Sequence, residues 1–205
     1  MKKRGFTLAE ILIALGIIGV VAALTIPSMT TGHNKNVWAK SLAVAKSNFD
    51  RAMTTVIMKE LANNLSETEV WQAADEDFIP KLNKVFELKE YEGYPSSIDI
   101  DIDSTSYISR NGIVYFIKKE DNDATDKSGD LTKRVAKVTI DINAKNKPNT
   151  VGKDIFYYYL GDNGILYPFG GEDVEKAFGE TYSCDSSGFE GCAGRLAENG
   201  YNMDY

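Results

Sequence analysis

The sequence predicts an α+β fold, a long N-terminal helix packed on a C-terminal antiparallel sheet. Three observations predict it. An apolar run extends from Ile11 to Ile26. A helical period returns at Asn36 and lasts to about Leu61. Beyond Pro95, alternating apolar and polar residues are separated by glycine-bearing turns. Helices followed by strands is the order of an α+β chain.

The first element is read as a membrane span. Phe6 to Ile26 is 21 residues, about 31 Å of helix at ~1.5 Å per residue, enough to cross a bilayer core. Lys2, Lys3 and Arg4 precede it, so the positive-inside rule keeps the N-terminus cytoplasmic and sends the rest outward. The competing reading is an ordinary secretory signal, cleaved after the apolar stretch. Ala22-Ala23-Leu24 and Thr25-Ile26-Pro27 offer no small-x-small cleavage site, and Glu10 is out of place in a signal core. An isolated buried carboxylate costs on the order of several kcal/mol unless paired or protonated. Glu10 therefore asks for a partner. Cutting the chain after Gly5 would supply one, a new α-amine on Phe6 four residues away.

The later elements follow in order. Pro27, Ser28 and the polar stretch Thr30 to Asn34 predict a kink or a locally unwound turn. Beyond it Trp38, Leu42, Ala45, Phe49, Met53 and Val56 recur at helical spacing, with Lys40, Lys46, Asp50, Arg51 and Lys59 between them. This amphipathic helix has its natural end at Asn63-Asn64. A second helical stretch is predicted from Glu67 to Leu88, broken in two at Pro80. Ile98, Ile100 and Ile102 alternate with Asp99, Asp101 and Asp103 as a short half-buried or edge strand. Arg110-Asn111-Gly112 joins Tyr107–Ser109 to Ile113–Ile117 as a hairpin. Lys119 to Asp130 reads as a loop and Val135 to Ile142 as a strand. Gly161-Asp162-Asn163-Gly164 turns Ile155–Leu160 into Ile165–Tyr167. Four or five strands are expected.

The basic leader, Gly5, Phe6 and Glu10 resemble the type III signal of type IV prepilins and type II secretion pseudopilins. The resemblance implies a pilin-like fold with a cleaved leader at 1–5, a transmembrane and assembly helix at 6–27, and an extracytoplasmic domain at 28–205. It implies that a prepilin peptidase cuts between Gly5 and Phe6 and N-methylates the new terminus. The chain would then be a single-pass protein of the inner membrane. Its partners would be other pilin or pseudopilin subunits and an inner-membrane assembly platform. Glu10 would pair with the Phe6 amine of an adjacent subunit, a bond that sets register more than stability. The implied function is a structural subunit of a type II secretion pseudopilus or type IV pilus-like filament that drives protein secretion. A competence or adhesion pilin shares the same N-terminus, and a membrane-tethered binding module is the rival from another class. The stretch from Asp141 to Phe156, with Pro148-Asn149 and Gly152, resembles a segment of bacterial prepilin-like proteins in which a loop joins two strands. The tail from Cys192 to Tyr201 is similar to C-terminal tails in the same group.

Charge narrows the partners. Residues 1–27 carry three bases and one acid, and the whole chain is −7, which leaves −9 on residues 28–205. A domain this acidic has no broad basic surface for nucleic acid, and none is expected as a partner. Catalysis is not expected either. The lone His33 gives no nucleophilic triad, and no phosphate-cradling glycine loop or dinucleotide fingerprint occurs. Cys184 and Cys192, in an outward-facing domain, are expected to form a disulfide closing a short glycine-rich loop. A reduced pair or a metal site are the alternatives. Asp121-Asn122-Asp123 begins like an EF-hand loop but lacks the following glycine, and Thr132 stands where its bidentate glutamate belongs. Because major pseudopilins bind calcium in a C-terminal loop, the resemblance also marks Asp162, Asn163 and Asp185, for which solvated turns are the simpler reading. No cofactor or resident metal is expected.

Overall fold

A computed structural model describes residues 6–92, 94, 105–120, 133–170, 182–185 and 188–205, with backbone alone at 26–33 and 75. The strand expected at Ile98 to Asp103 and most of the loop expected beyond Lys119 lie outside the described residues. Two compact units divide the chain between Val37 and Trp38.

The first unit is the N-terminal part of α1, which spans Leu8–Glu60. Its backbone is helical through Pro27 and on to Asn34, where the sequence predicted a kink or unwound turn. No unwound turn forms there. A proline deletes one backbone bond, a small loss in a helix of 53 residues.

The second unit holds the core. Ala39, Leu42, Ala45, Phe49, Met53 and Val56 of α1 are all buried, the face that the helical period marked. The helix ends at Glu60, three residues before Asn63. Leu61 turns left-handed at φ 53°, while its N–H donates to the Met58 carbonyl and that of Ala62 to the Ile57 carbonyl. This is the Schellman stop, made here without its usual glycine. Asn64 caps a 3₁₀ turn, Leu65–Glu67. Thr68 then caps α2, Glu69–Gln72, with its hydroxyl accepting from the Trp71 N–H.

The helical stretch expected from Glu67 to Leu88 breaks elsewhere than predicted. Ala73 and Ala74 are extended, and Pro80 lies inside α3, Asp75–Leu82. Two contacts account for the shift. The Lys119 ammonium donates to the carbonyls of Trp71 and Ala73, ending α2 from outside. The same ammonium lies 4.4 Å from the Phe78 ring centre. Leu88, placed in that stretch by the sequence, begins a strand instead.

Among the described residues, six strands form one antiparallel meander in chain order. They are β1 Leu88–Glu90, β2 Thr105–Ser109, β3 Val114–Lys119, β4 Arg134–Asp141, β5 Ile155–Gly161 and β6 Leu166–Pro168. Both predicted hairpins occur, and they share one geometry. Gly112 donates to Ser109 and Ser109 to Ile113, with Gly112 at φ 78°. Gly164 donates to Gly161 and Gly161 to Ile165, with Gly164 at φ 80°. Each is a three-residue loop whose last position must be left-handed, which glycine adopts without steric cost.

One sheet face packs on α1. Tyr115 of β3 stacks on Phe49 at 5.5 Å between ring centres, and its hydroxyl donates to the Ala45 carbonyl. Tyr158 and Leu160 of β5 join the same core. Asp50 ties helix to sheet, accepting the Leu166 N–H at 2.8 Å and pairing with Lys46 at 2.6 Å. The opposite face is also covered, so every residue of β5 is buried. Ala144 and Val151, in the β4–β5 connection, cover Val114, Phe116 and Ile155. Phe169 and Tyr182 cover Tyr157 and Tyr159.

Candidate functional site

Gly5 lies outside the described residues, so the expected cleavage site is seen only from its downstream side. Phe6 is 84% exposed. Thr7 and Glu10 begin the helix as a reciprocal pair. The Thr7 N–H and hydroxyl each donate to Glu10 Oε2 at 2.8 Å, and the Glu10 N–H reaches Thr7 Oγ1 at 3.3 Å. This is a capping box, which satisfies two otherwise orphaned ends of the first turn. The spacing Thr7-Leu8-Ala9-Glu10 carries its signature in plain view, and the sequence reading passed over it. Glu10 thus finds its first partner within its own turn. Both bonds to the carboxylate fall on Oε2, which leaves Oε1 open to a group from outside.

The helix beyond is apolar on all sides. Leu8 to Thr25 is long and apolar enough to cross a membrane, and none of it is buried. Phe6, Glu10, Ile11, Ala14, Leu15 and Ile18 line a shallow groove along one face, with Glu10 its polar member. Gly16 and Gly19 face open space. Such a surface is stable only in lipid or against another apolar chain.

In the second unit, Cys184 and Cys192 form the expected disulfide. It fastens the segment at 182–185 to α4, Cys192–Glu198. The sequence reading placed no helix here, because a seven-residue segment with glycine at its third position shows little period. The segment is held close. A side chain at Gly170 would meet the Gly191 backbone within 2.6 Å, and the Gly194 N–H donates to the Phe169 carbonyl. Arg195 donates to the Cys184 carbonyl and forms a two-pronged pair with Asp204.

The connection from Asp141 to Asp154 joins β4 to β5, as the resemblance implied. Two buried carboxylates shape it. Asp154 accepts the N–H groups of Asn149 and Thr150 at 2.7 and 2.6 Å. Asp141 accepts the Asn143 N–H at 3.0 Å and the Tyr94 hydroxyl. Burial pushes the Asp141 carboxyl up to about 7, against the pull of these hydrogen bonds. These acids organise backbone.

The residues weighed for calcium are not brought together as a ligand set. Asn163 closes its own hairpin, accepting from Ile165 and donating to the Tyr167 hydroxyl. The backbone carbonyl of Asp162 accepts from Leu65. The backbone of Asp185 pairs with Gly188. Asp99, Asp101, Asp103 and the Asp121 to Asp126 stretch lie outside the described residues, as does the His33 side chain. Among the described residues no three His, Cys, Asp or Glu side chains converge on one point.

No curated protein and no solved structure matches the chain. Residues 1–26 match the family model described as the prokaryotic N-terminal methylation motif. That motif implies processing by a prepilin peptidase and assembly with other pilin subunits, and its family is structural rather than enzymatic. The matched motif is the hallmark of type IV prepilin-like proteins.

Proposed function

We propose that this chain is a structural subunit of a type II secretion pseudopilus or a closely related type IV pilus-like filament. Residues 1–5 are its leader, residues 6–27 its membrane and assembly helix, and residues 28–205 its extracytoplasmic domain. A prepilin peptidase cuts between Gly5 and Phe6, and Phe6 becomes the N-methylated terminus. The subunit waits in the inner membrane with its N-terminus cytoplasmic until an assembly platform draws it into the filament. There the apolar surface of the helix exchanges lipid for neighbouring subunits, and polymerisation pushes cargo or extends a fibre.

One observation carries this reading. An exposed apolar helix holds a single carboxylate at its mouth, and that carboxylate keeps one oxygen open. The open oxygen of Glu10 suits the charged Phe6 amine of an adjacent subunit, while Thr7 fixes the rotamer that presents it. Desolvation offsets much of the attraction, so the pair selects axial register.

Glu10→Val tests the reading in cells that carry the native assembly machinery. The expected result is a processed, membrane-inserted protein that no longer enters filaments. Filaments at the normal level with Glu10→Val would overturn the assembly role. The remaining reading would then be a membrane-tethered binding module.

A further inference from the structure

The outer face of α1 in the second unit mixes bases with apolar side chains. Lys40, Val44, Ser47, Arg51 and Met58 fall within about 60° of one another at 100° per residue, and all five are exposed. Val44 is 52% and Met58 69% exposed. The stripe lies opposite the buried face of Leu42, Phe49 and Val56, and it contains no acid. Among the described residues no carboxylate pairs with Lys40 or Arg51. Arg51 donates only to Asn48 of its own helix.

The complement of this stripe is present on the same chain. From Glu60 to Pro80 the sequence has six acids and no base, in a domain of net charge −9. Glu60, Glu67, Glu69, Glu76 and Asp77 are exposed. Glu60 Oε2 accepts the Glu69 N–H at 2.5 Å, and Glu67 accepts from Asn63, so Glu60, Glu67 and Glu69 gather at the C-terminal end of α1. Arg51 and Lys40 lie 9 and 20 residues before Glu60, about 14 and 30 Å along the helix at ~1.5 Å per residue. One chain therefore cannot bring its own stripe to its own acids. Two parallel copies, offset lengthwise by an intermediate distance of about 22 Å, bring the acids between the two bases.

We propose that the basic stripe of α1 docks against the acidic end of α1 in a second copy of this chain, with Lys40 and Arg51 facing Glu67 and Glu69. The contact is head-to-tail, so each copy offers both surfaces and the association propagates into a filament rather than closing as a dimer. Val44, between the two bases, supplies apolar area, and the charges select partner and register. This proposal rests on the filament reading, in which the subunits share one direction.

Charge reversal in the full-length chain, expressed with its assembly machinery, tests it. Lys40→Glu with Arg51→Glu, and separately Glu67→Lys with Glu69→Lys, should each cut filament yield by about tenfold or more, because like charges then meet. Combining all four substitutions should restore yield to within about threefold of wild type. All positions are exposed, and an intact Cys184–Cys192 disulfide reports folding in each variant. Silent single-surface reversals, or a fourfold variant no better than either, would overturn the proposal while wild-type filaments leave the filament reading standing. Loss confined to the Lys40 and Arg51 variant, without rescue, would assign the stripe to anionic lipid instead. A wild-type chain that forms no filament under assembly conditions would remove both readings together.

Discussion

Asp154 is the residue whose loss should most clearly expose how the β4–β5 connection is built. It is fully buried, and its two oxygens accept from Asn149 and Thr150 at 2.7 and 2.6 Å. Asn149 is itself left-handed at φ 49°, so the carboxylate holds a backbone shape that the chain does not favour alone. Hydrogen bonds to a charged group contribute about 1.5–3 kcal/mol each. Two such bonds would give about 3–6 kcal/mol. Asn149 and Thr150 are only half-buried, so water replaces part of what is lost, and Asp154→Ala should cost about 3 kcal/mol. For a domain of this size that lowers Tm by about 6–12 °C. Asp154→Asn keeps one acceptor oxygen and should lose about half as much. Lys153→Ala, next door and exposed, should stay within about 0.5 kcal/mol. The assay is thermal and urea unfolding of the full-length protein in detergent, followed by near-UV circular dichroism. A cost below about 1 kcal/mol for Asp154→Ala would refute the reasoning, since it would mean the two bonds hold nothing that water cannot.

Other expectations follow from the same structure. Phe49→Ala removes a fully buried ring stacked on Tyr115 and edge-on to Phe86, and should destabilise the second unit by about 3–5 kcal/mol in urea titration. Leu61 is 90% exposed and left-handed, so Leu61→Gly should raise stability by up to about 1 kcal/mol, measured as a higher unfolding midpoint. Reducing Cys184–Cys192, which spans a sequence separation of 8, should cost about 2–3 kcal/mol by loop closure, seen as a lower Tm with dithiothreitol. The Asp141 carboxyl sits at about 7 when folded, above its value near 3.9 in an unfolded chain. Folding therefore takes up a proton. Its contribution is complete below about pH 4 and fades as pH rises through about 7, on the order of a few kcal/mol. Tm measured from pH 4 to 8 should fall along that slope, and Asp141→Asn should flatten it.

The sequence made the large features legible because strong local periodicity created them. Leu42 to Val56 showed helical spacing and proved to be the buried face of α1. Gly112 and Gly164 marked hairpins because only their backbone freedom closes those loops cheaply. The errors lie where distant residues decide. The break after α2 falls at Ala73, where Lys119 reaches in from β3, and no local reading of Pro80 could have placed it there. Leu88 enters a strand because β2 pairs with it. Leu61 ends α1 without glycine, so the end was set too late. Of the candidate site, the motif around Phe6 and Glu10 was visible. Its capping box is legible too, in the Thr7-Leu8-Ala9-Glu10 spacing, which gives Glu10 a near partner within its own turn. The ties of Asp50 and Asp154 were not legible, since each depends on the folded register of other strands and loops.

The most direct test of the prepilin reading is intact and N-terminal mass spectrometry of the protein from its native membranes. The expected terminus is an N-methylated Phe6, with leader residues 1–5 absent and the Cys184–Cys192 pair two hydrogens lighter than the dithiol. A terminus still at Met1, or one created by cleavage beyond residue 22, would contradict the reading.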